Sequence, residues 1–343
     1  MKRLLKDHYV RYYKYPKEWL AHFVVPNLHD PLKLSRAFKW AVLPKLRKFP
    51  TFIVIDPIVR CNLNCPLCSI PPKLLPNYGC ELSLKDFKKT LDNIKSVTNH
   101  VFFSHAGEPF LNKQLLDMVE LVNKYHMISS VGTNGTFLTA RTIDRIFEIE
   151  LDFLQISFDG FSKETYEKYR VKASFEKVLH NITELSKMKK SKKSKKPFIS
   201  VTFLINAYNS HEIDDAAKYF KKMDIDFIPK GINLNLHRRK DKLNINDLAH
   251  WIDFENEHSM YRLDEKGHVI FKKPFKKVCD TCEKPVINCK GNILLCCHDI
   301  FNSVNLGKIY ECEFEALWSS EHYTKLRKMA SKRELPICKI CGK

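Results

Sequence analysis

Long apolar runs are missing from this chain. None approaches the roughly 18 to 20 consecutive apolar residues needed to cross a bilayer, and the start, Met1 to Tyr13, is basic and aromatic without the apolar stretch of a secretory signal. Both absences point to a cytoplasmic protein. Acidic side chains are scarce, 39 against 58 lysines and arginines, for a net charge of +19. That balance favours anionic partners such as nucleic acid, anionic lipid or an acidic electron-donor protein, although many of the lysines are scattered as on any well-solvated surface. Disorder is excluded as the general state, because hydrophobic residues make up 44% of the chain. At 343 residues the length suggests about two domains. Twelve cysteines in a reducing compartment are expected as metal ligands before disulfide partners.

Three regions follow from the patterning. Residues 1–48 read as a basic, aromatic helical extension in two pieces, Trp19 to Val25 and Leu32 to Leu43, each closed by a proline. In the second piece Leu34, Phe38, Ala41 and Val42 fall at helical spacing between Lys33, Arg36 and Lys39. That pattern suits packing on the main domain, with a membrane surface as the alternative. Residues 49–240 alternate short β-branched or aromatic runs (Phe52 to Ile55, Val101 to Ser104, Ile128 to Gly132, Phe153 to Phe158, Phe198 to Ile205, Ile225 to Ile228) with amphipathic segments. Six strand–helix units predict an α/β fold, a partial (β/α)6 TIM-like barrel, with functional loops after the strands. The lysine run Lys187 to Lys196 reads as a solvated loop. Residues 241–343 lose the alternation, become cysteine-rich, and read as a small domain nucleated by metal.

The chemistry sits after the strands. Cys61, Cys65 and Cys68 follow the first, and their spacing lets one short loop hold an inorganic cluster with three thiolates while leaving one metal position open. A closed zinc site needs a fourth ligand, and none is adjacent: His105 is the nearest histidine downstream, and Cys80 stands alone, expected as a buried thiol. Ala106 to Pro109 follows the second strand, with Gly107 allowing close backbone approach and Pro109 holding Glu108 extended. Asn134 and Gly135 follow the third strand, and Ser157 to Gly160 ends the fourth. Arg170 offers a planar fork for a carboxylate.

These residues resemble radical S-adenosylmethionine (radical SAM) enzymes. Cys61, Cys65 and Cys68 match their CxxxCxxC signature, Ala106-Gly107-Glu108-Pro109 is similar to their GGEP motif, and Thr133-Asn134-Gly135 and Ser157-Phe158-Asp159-Gly160 are similar to their next two strand-end motifs. The resemblance implies a 4Fe-4S cluster on the three cysteines and S-adenosylmethionine on its open iron. One electron then releases methionine and a 5'-deoxyadenosyl radical that takes hydrogen from substrate. It places Ala106, Gly107, Glu108, Asn134, Ser157 and Arg170 at the cofactor, the Gly107–Glu108 edge on the amino group and Ser157 with Arg170 on the carboxylate. Leu67 stands where the family usually has an aromatic beside the adenine. The C-terminal region is similar to the SPASM extension: Cys279 precedes Gly291, Cys296 and the closing pair Cys338 and Cys341, which implies one auxiliary 4Fe-4S cluster, two in the whole chain. Cys282 is an alternative to Cys279 as first ligand. Cys289, Cys297 and Cys312 are then spare, expected as packed thiols, and a zinc ribbon is the competing reading.

The expected function is hydrogen abstraction from a peptide, protein side chain or carbohydrate-type substrate, with net oxidation or bond formation assisted by the auxiliary cluster and electrons from a donor such as flavodoxin or ferredoxin. The short N-terminal extension tilts this toward a substrate without a long leader. Asp226, Lys230, His237 and Asp299 are the acid–base candidates on substrate. The alternatives are an RNA-modifying radical SAM enzyme and a non-catalytic zinc-holding nucleic-acid-binding protein.

Overall fold

The computed structural model describes residues 25–35, 49–50, 52–68, 75–232, 234, 245–272, 279, 281–304, 306–339 and 341. Of the expected N-terminal extension only 25–35 falls within them, and His237 lies outside. Six strands, β1 (Ile53–Ile55), β2 (His100–Phe103), β3 (Ile128–Thr133), β4 (Phe153–Ser157), β5 (Phe198–Ile205) and β6 (Asp226–Gly231), pair in chain order, each parallel to the next. Helices α1 (Leu84–Ile94), α2 (Leu115–Lys124), α3 (Ala140–Glu148), α4 (Lys163–Tyr169), α5 (Phe175–Ser191) and α6 (Ile213–Lys222) fill the crossovers. The expected α/β half-barrel is therefore present.

Local chemistry explains the elements. Ser83, Thr139, Ser162 and Ser174 each accept a backbone N–H three residues on, capping α1, α3, α4 and α5, a contribution of about 1 kcal/mol each. Phe87, Leu91 and Ile94 on α1, and Leu115, Met118, Val119 and Val122 on α2, form the apolar stripes that bury against the sheet. Along the strands the faces alternate. Ile55, Phe103, Val131, Leu154, Ile156 and Val201 point to the helices and are fully buried, whereas Gly132, Gln155 and Ser157 line the concave side. The small and polar residues of the strands thus face the barrel interior at its C-terminal rim.

The C-terminal region joins this same sheet. β9 (Val286–Ile287) runs parallel to β1, and β10 (Ile293–Leu294) returns antiparallel to β9, giving eight strands in the order β10-β9-β1-β2-β3-β4-β5-β6. A hairpin of β7 (Tyr261–Leu263) and β8 (Val269–Phe271) stands apart as a two-stranded sheet. Asn93 on α1 fastens the rest: its amide donates to the carbonyls of Ile309 (2.8 Å) and Cys312 (2.7 Å) and accepts from the Phe314 N–H (2.9 Å). That fixes α7 (Phe314–Ser319), and α8 (Glu321–Ser331) follows.

One expectation is corrected. Cys80 and Cys289 were expected as separate packed thiols, but they form a disulfide across 209 residues, with Cα atoms 6.0 Å apart. The reason is the β1–β9 pairing, which brings the turn after Ile287 beside the loop that carries Cys80.

Candidate functional site

One cavity of about 280 Å³ opens at the C-terminal rim, and the residues singled out above meet there. Cys61, Cys65 and Cys68 form one wall, and Ala106, Gly107, Glu108, Asn134, Ser157 and Arg170 all line it as well. The cysteine loop is held from several sides. The Asn64 N–H donates to the Val171 carbonyl (2.9 Å), the Leu63 N–H to the Cys61 sulfur (3.4 Å), and the Arg60 carbonyl accepts the Glu108 N–H (2.9 Å). Gly107 has φ +104°, and a Cβ there would sit 2.7 Å from the Arg60 carbonyl oxygen, so only glycine lets the two loops touch.

Glu108 is buried and its carboxylate ties three elements together. It accepts from the Thr133 hydroxyl (2.7 Å), the Asn134 N–H (2.7 Å) and the Phe110 N–H (3.2 Å). Burial pushes its carboxyl up to about 7 despite those donors. Asn134 then reaches the cysteine loop, donating to Asn62 Oδ1 (2.9 Å) and lying 3.8 Å from the Cys61 sulfur. Arg170, at the C-terminal end of α4, spends its fork on a residue of this chain. Its Nε donates to Asp159 Oδ2 (2.6 Å), its second amino group also pairs with Asp159, and its remaining amino group lies 3.8 Å from the Cys65 sulfur. Asp159 is almost wholly buried, and burial raises its carboxyl against the pull of Arg170.

The donor set fits an iron-sulfur cluster. Burial pushes Cys61 up to about 12 and Cys65 to about 11, so these thiols ionise only beside a strong cation. Among the described residues no three His, Cys, Asp or Glu side chains stand close enough to share one metal ion. Three thiolates in one loop are the soft donors that suit an iron-sulfur cluster. The opposite wall is cut away: a Cβ on Gly132 would fall 2.8 Å from Ser104 Oγ.

Other residues at the cavity were not singled out from the sequence. Tyr169 lines it next to Leu63 and Leu67 and packs edge-on against Trp251 at 5.4 Å, so a phenol ring is present although position 67 is not aromatic. His105 lines the cavity with φ +105° and bridges two regions. Its Nδ1 is 3.1 Å from both oxygens of Asp56, and its Nε2 is 2.8 Å from the carbonyl of Cys297. Asp56, just past β1, also accepts the Ala106 N–H at 2.9 Å. Ile300 brings the C-terminal region onto the wall itself. A polar residue immediately after a buried strand was the available signal for Asp56; nothing local marks Ile300.

The C-terminal cysteines gather beside this wall. Cys338 lies within electrostatic reach of Cys279 and Cys341, Cys296 of Cys341 and Cys297, and Cys282 of Cys279. Cys282 is buried, with its sulfur 3.6 Å from the carbonyls of Cys279 and Arg327. Of the acid–base candidates, Asp226 opens β6 at the end away from the rim, and Asp299 caps its own loop through the N–H groups of Ser303 (2.7 Å) and Val304 (3.0 Å). Neither Asp226, Lys230 nor Asp299 lines the cavity.

Residues 55–220 match the family model of the radical SAM superfamily, and residues 279–342 match that of SPASM, an iron-sulfur cluster-binding domain. The tungsten-containing aldehyde ferredoxin oxidoreductase cofactor-modifying protein of Pyrococcus furiosus is 23% identical over 319 residues, covering 85% of this chain and 87% of that protein. Among solved structures, BtrN in complex with AdoMet and 2-DOIA has a TM-score of 0.52 at 17% identity, covering 87% of this chain and 95% of that one. SuiB of Streptococcus suis bound to precursor peptide SuiA has a TM-score of 0.60 at 14% identity, covering 86% and 71%. At these identities the structural likeness speaks for the fold.

Proposed function

Because the chain belongs to the radical SAM superfamily and carries a SPASM iron-sulfur cluster-binding domain, we propose that it is an enzyme that takes hydrogen from a peptide, protein side chain or carbohydrate-type substrate and completes a net oxidation or bond formation. When bound, the 4Fe-4S cluster and S-adenosylmethionine supply the hydrogen-abstracting 5'-deoxyadenosyl radical. Everything else is the work of the chain's own residues. Cys61, Cys65 and Cys68 would hold the cluster, with buried Leu63 and Leu67 lining the cavity beside them. Glu108 stiffens the edge that the methionyl amino group meets, by locking Thr133 and Asn134. Arg170 is held in place by Asp159 and adds positive charge beside Cys65. Tyr169, with Leu63 and Leu67, offers an apolar and aromatic surface for the adenine.

The observation that carries this reading is the convergence of the three-cysteine loop after β1 with residues from the ends of β2, β3 and β4 on one cavity, with Ile300 of the cluster-binding region on its wall. We assign Cys279, Cys296, Cys338 and Cys341 to one auxiliary cluster, leaving Cys282 as a buried thiol. A fully ligated cluster suits electron transfer from a substrate radical. The net charge of +19 suits docking of an acidic electron donor such as flavodoxin or ferredoxin. The test is anaerobic reconstitution followed by reduction with dithionite. Methionine and 5'-deoxyadenosine should form, and Cys65→Ala should abolish both. Candidate peptides and sugars carrying deuterium are then screened for transfer of label into 5'-deoxyadenosine. Intact S-adenosylmethionine in protein with full iron content overturns the proposal.

A further inference from the structure

The segment Val25–Ser35 turns several polar side chains inward and several apolar ones outward. Asn27 and Lys33 are almost fully buried and Asp30 is half-buried, while His29 and Ser35 are exposed. Lys33 Nζ pairs with Asp152 Oδ2 at 2.6 Å, and Asp30 accepts from His126 Nδ1 at 3.0 Å. Three apolar side chains face outward instead, while Leu34 is half-buried. Val25, Leu28 and Leu32 are 45%, 63% and 60% exposed, and they are three of the five large hydrophobic side chains exposed among the described residues. A segment that merely covered the barrel would turn the leucines in and the lysine out. Here a buried ion pair fixes the opposite orientation.

Charge identifies the occupant of this face. Residues 1–48 contain twelve lysines and arginines, three aspartates and glutamates, and eight aromatic residues. Their net charge of +9 is nearly half of the chain's +19. An outward apolar face carried by a sequence this rich in cationic and aromatic residues is complementary to an anionic lipid surface, where leucines enter the acyl boundary and positive charge is drawn to headgroups. We propose that Val25, Leu28 and Leu32 seat the protein on an anionic membrane surface, to which the positive charge of the sequence on either side of them is attracted. Asp152 immediately precedes β4 and His126 follows α2, so the segment docks at the end of the barrel opposite the cysteine rim. Seated this way, the protein presents its cavity away from the bilayer, toward substrates that arrive from solution.

The test uses the full, anaerobically reconstituted chain and sedimentation with vesicles. Binding is expected to phosphatidylcholine vesicles containing about 30 mol% phosphatidylglycerol, with little to pure phosphatidylcholine and release at high salt. The double substitution Leu28→Asp with Leu32→Asp should weaken binding by about tenfold or more, while thermal melting and S-adenosylmethionine cleavage stay as in the parent. Hydrogen exchange on the unsubstituted protein should show amides 25–35 protected by anionic vesicles. Protein left in the supernatant, a variant that sediments equally, or no added protection overturns the proposal. So does a dimer that Leu28→Asp with Leu32→Asp dissolves, which would give the face to a second copy. Binding to an RNA homopolymer that displaces the vesicles and ignores both substitutions would likewise overturn it.

Discussion

Replacing Arg170 by methionine would test the electrostatics of the cavity most sharply. Asp159 is 1% exposed, and besides its two contacts with Arg170 it accepts the Leu204 N–H at 2.8 Å. Arg170→Met removes the counter-charge and leaves the carboxylate buried, which costs about 3–5 kcal/mol. For a chain of 343 residues, an unfolding entropy of about 2.1 cal/mol/K per residue converts this to a fall in Tm of about 4–7 °C. The loss should depend on pH. The Asp159 carboxyl already lies above its ordinary value through burial, and without Arg170 it rises further. The folded state then binds a proton that the unfolded state releases, so stability falls as pH rises through the folded value and returns as pH drops toward about 4. Adding Asp159→Asn removes the buried charge altogether, and the double variant should recover about 2 kcal/mol or more relative to the sum of the two single variants. Urea unfolding of the apoprotein at several pH values, read by circular dichroism, measures all of this. A single-variant loss below about 1 kcal/mol, or strict additivity, would refute the pairing as a structural element.

Further outcomes follow from the same site. Gly107→Ala should fold poorly and lower S-adenosylmethionine affinity in calorimetry, because its Cβ meets the Arg60 carbonyl at 2.7 Å and φ +104° disfavours any side chain. Tyr169→Leu should weaken S-adenosylmethionine binding by about fivefold or more while iron content stays unchanged, since the ring contributes area and not ligation. Cys279→Ala should lose about four irons per chain, the content of one cluster, and Cys282→Ala should lose none, by iron assay after reconstitution. With its carboxyl raised by burial to about 7, Glu108 makes the apoprotein lose stability as pH climbs from about 4.5 through 7, and Glu108→Gln should flatten that slope.

Local pattern carried much of the fold. The β-branched runs and amphipathic segments fall within a few residues of β1 to β6 and of α1, α2, α3, α5 and α6, because buried parallel strands and one-sided helices each leave a period in the chain. The α4 helix escaped notice since seven residues are too few to show a period; its Ser162 cap was the usable signal. At the site, three cysteines in one loop announced themselves, and the strand-end residues were found by position. What stayed hidden is non-local. That Arg170 lies on Asp159, that His105 joins Asp56 to Cys297, and that Cys80 meets Cys289 each depend on how the elements are placed in space. The inward turn of Lys33 was hidden for the same reason, since it needs Asp152 across the fold to hold it.

The strand order sets a timetable for the newborn protein. β1, which leads directly into the cysteine loop, has β2 on one side and β9 on the other, and β9 is made more than two hundred residues later. During synthesis, the flank of β1 therefore stays unzipped until the chain is nearly complete, and the His105–Cys297 strut cannot yet exist. The arrival of Val286–Leu294 closes that flank, β9 alongside β1 and β10 alongside β9.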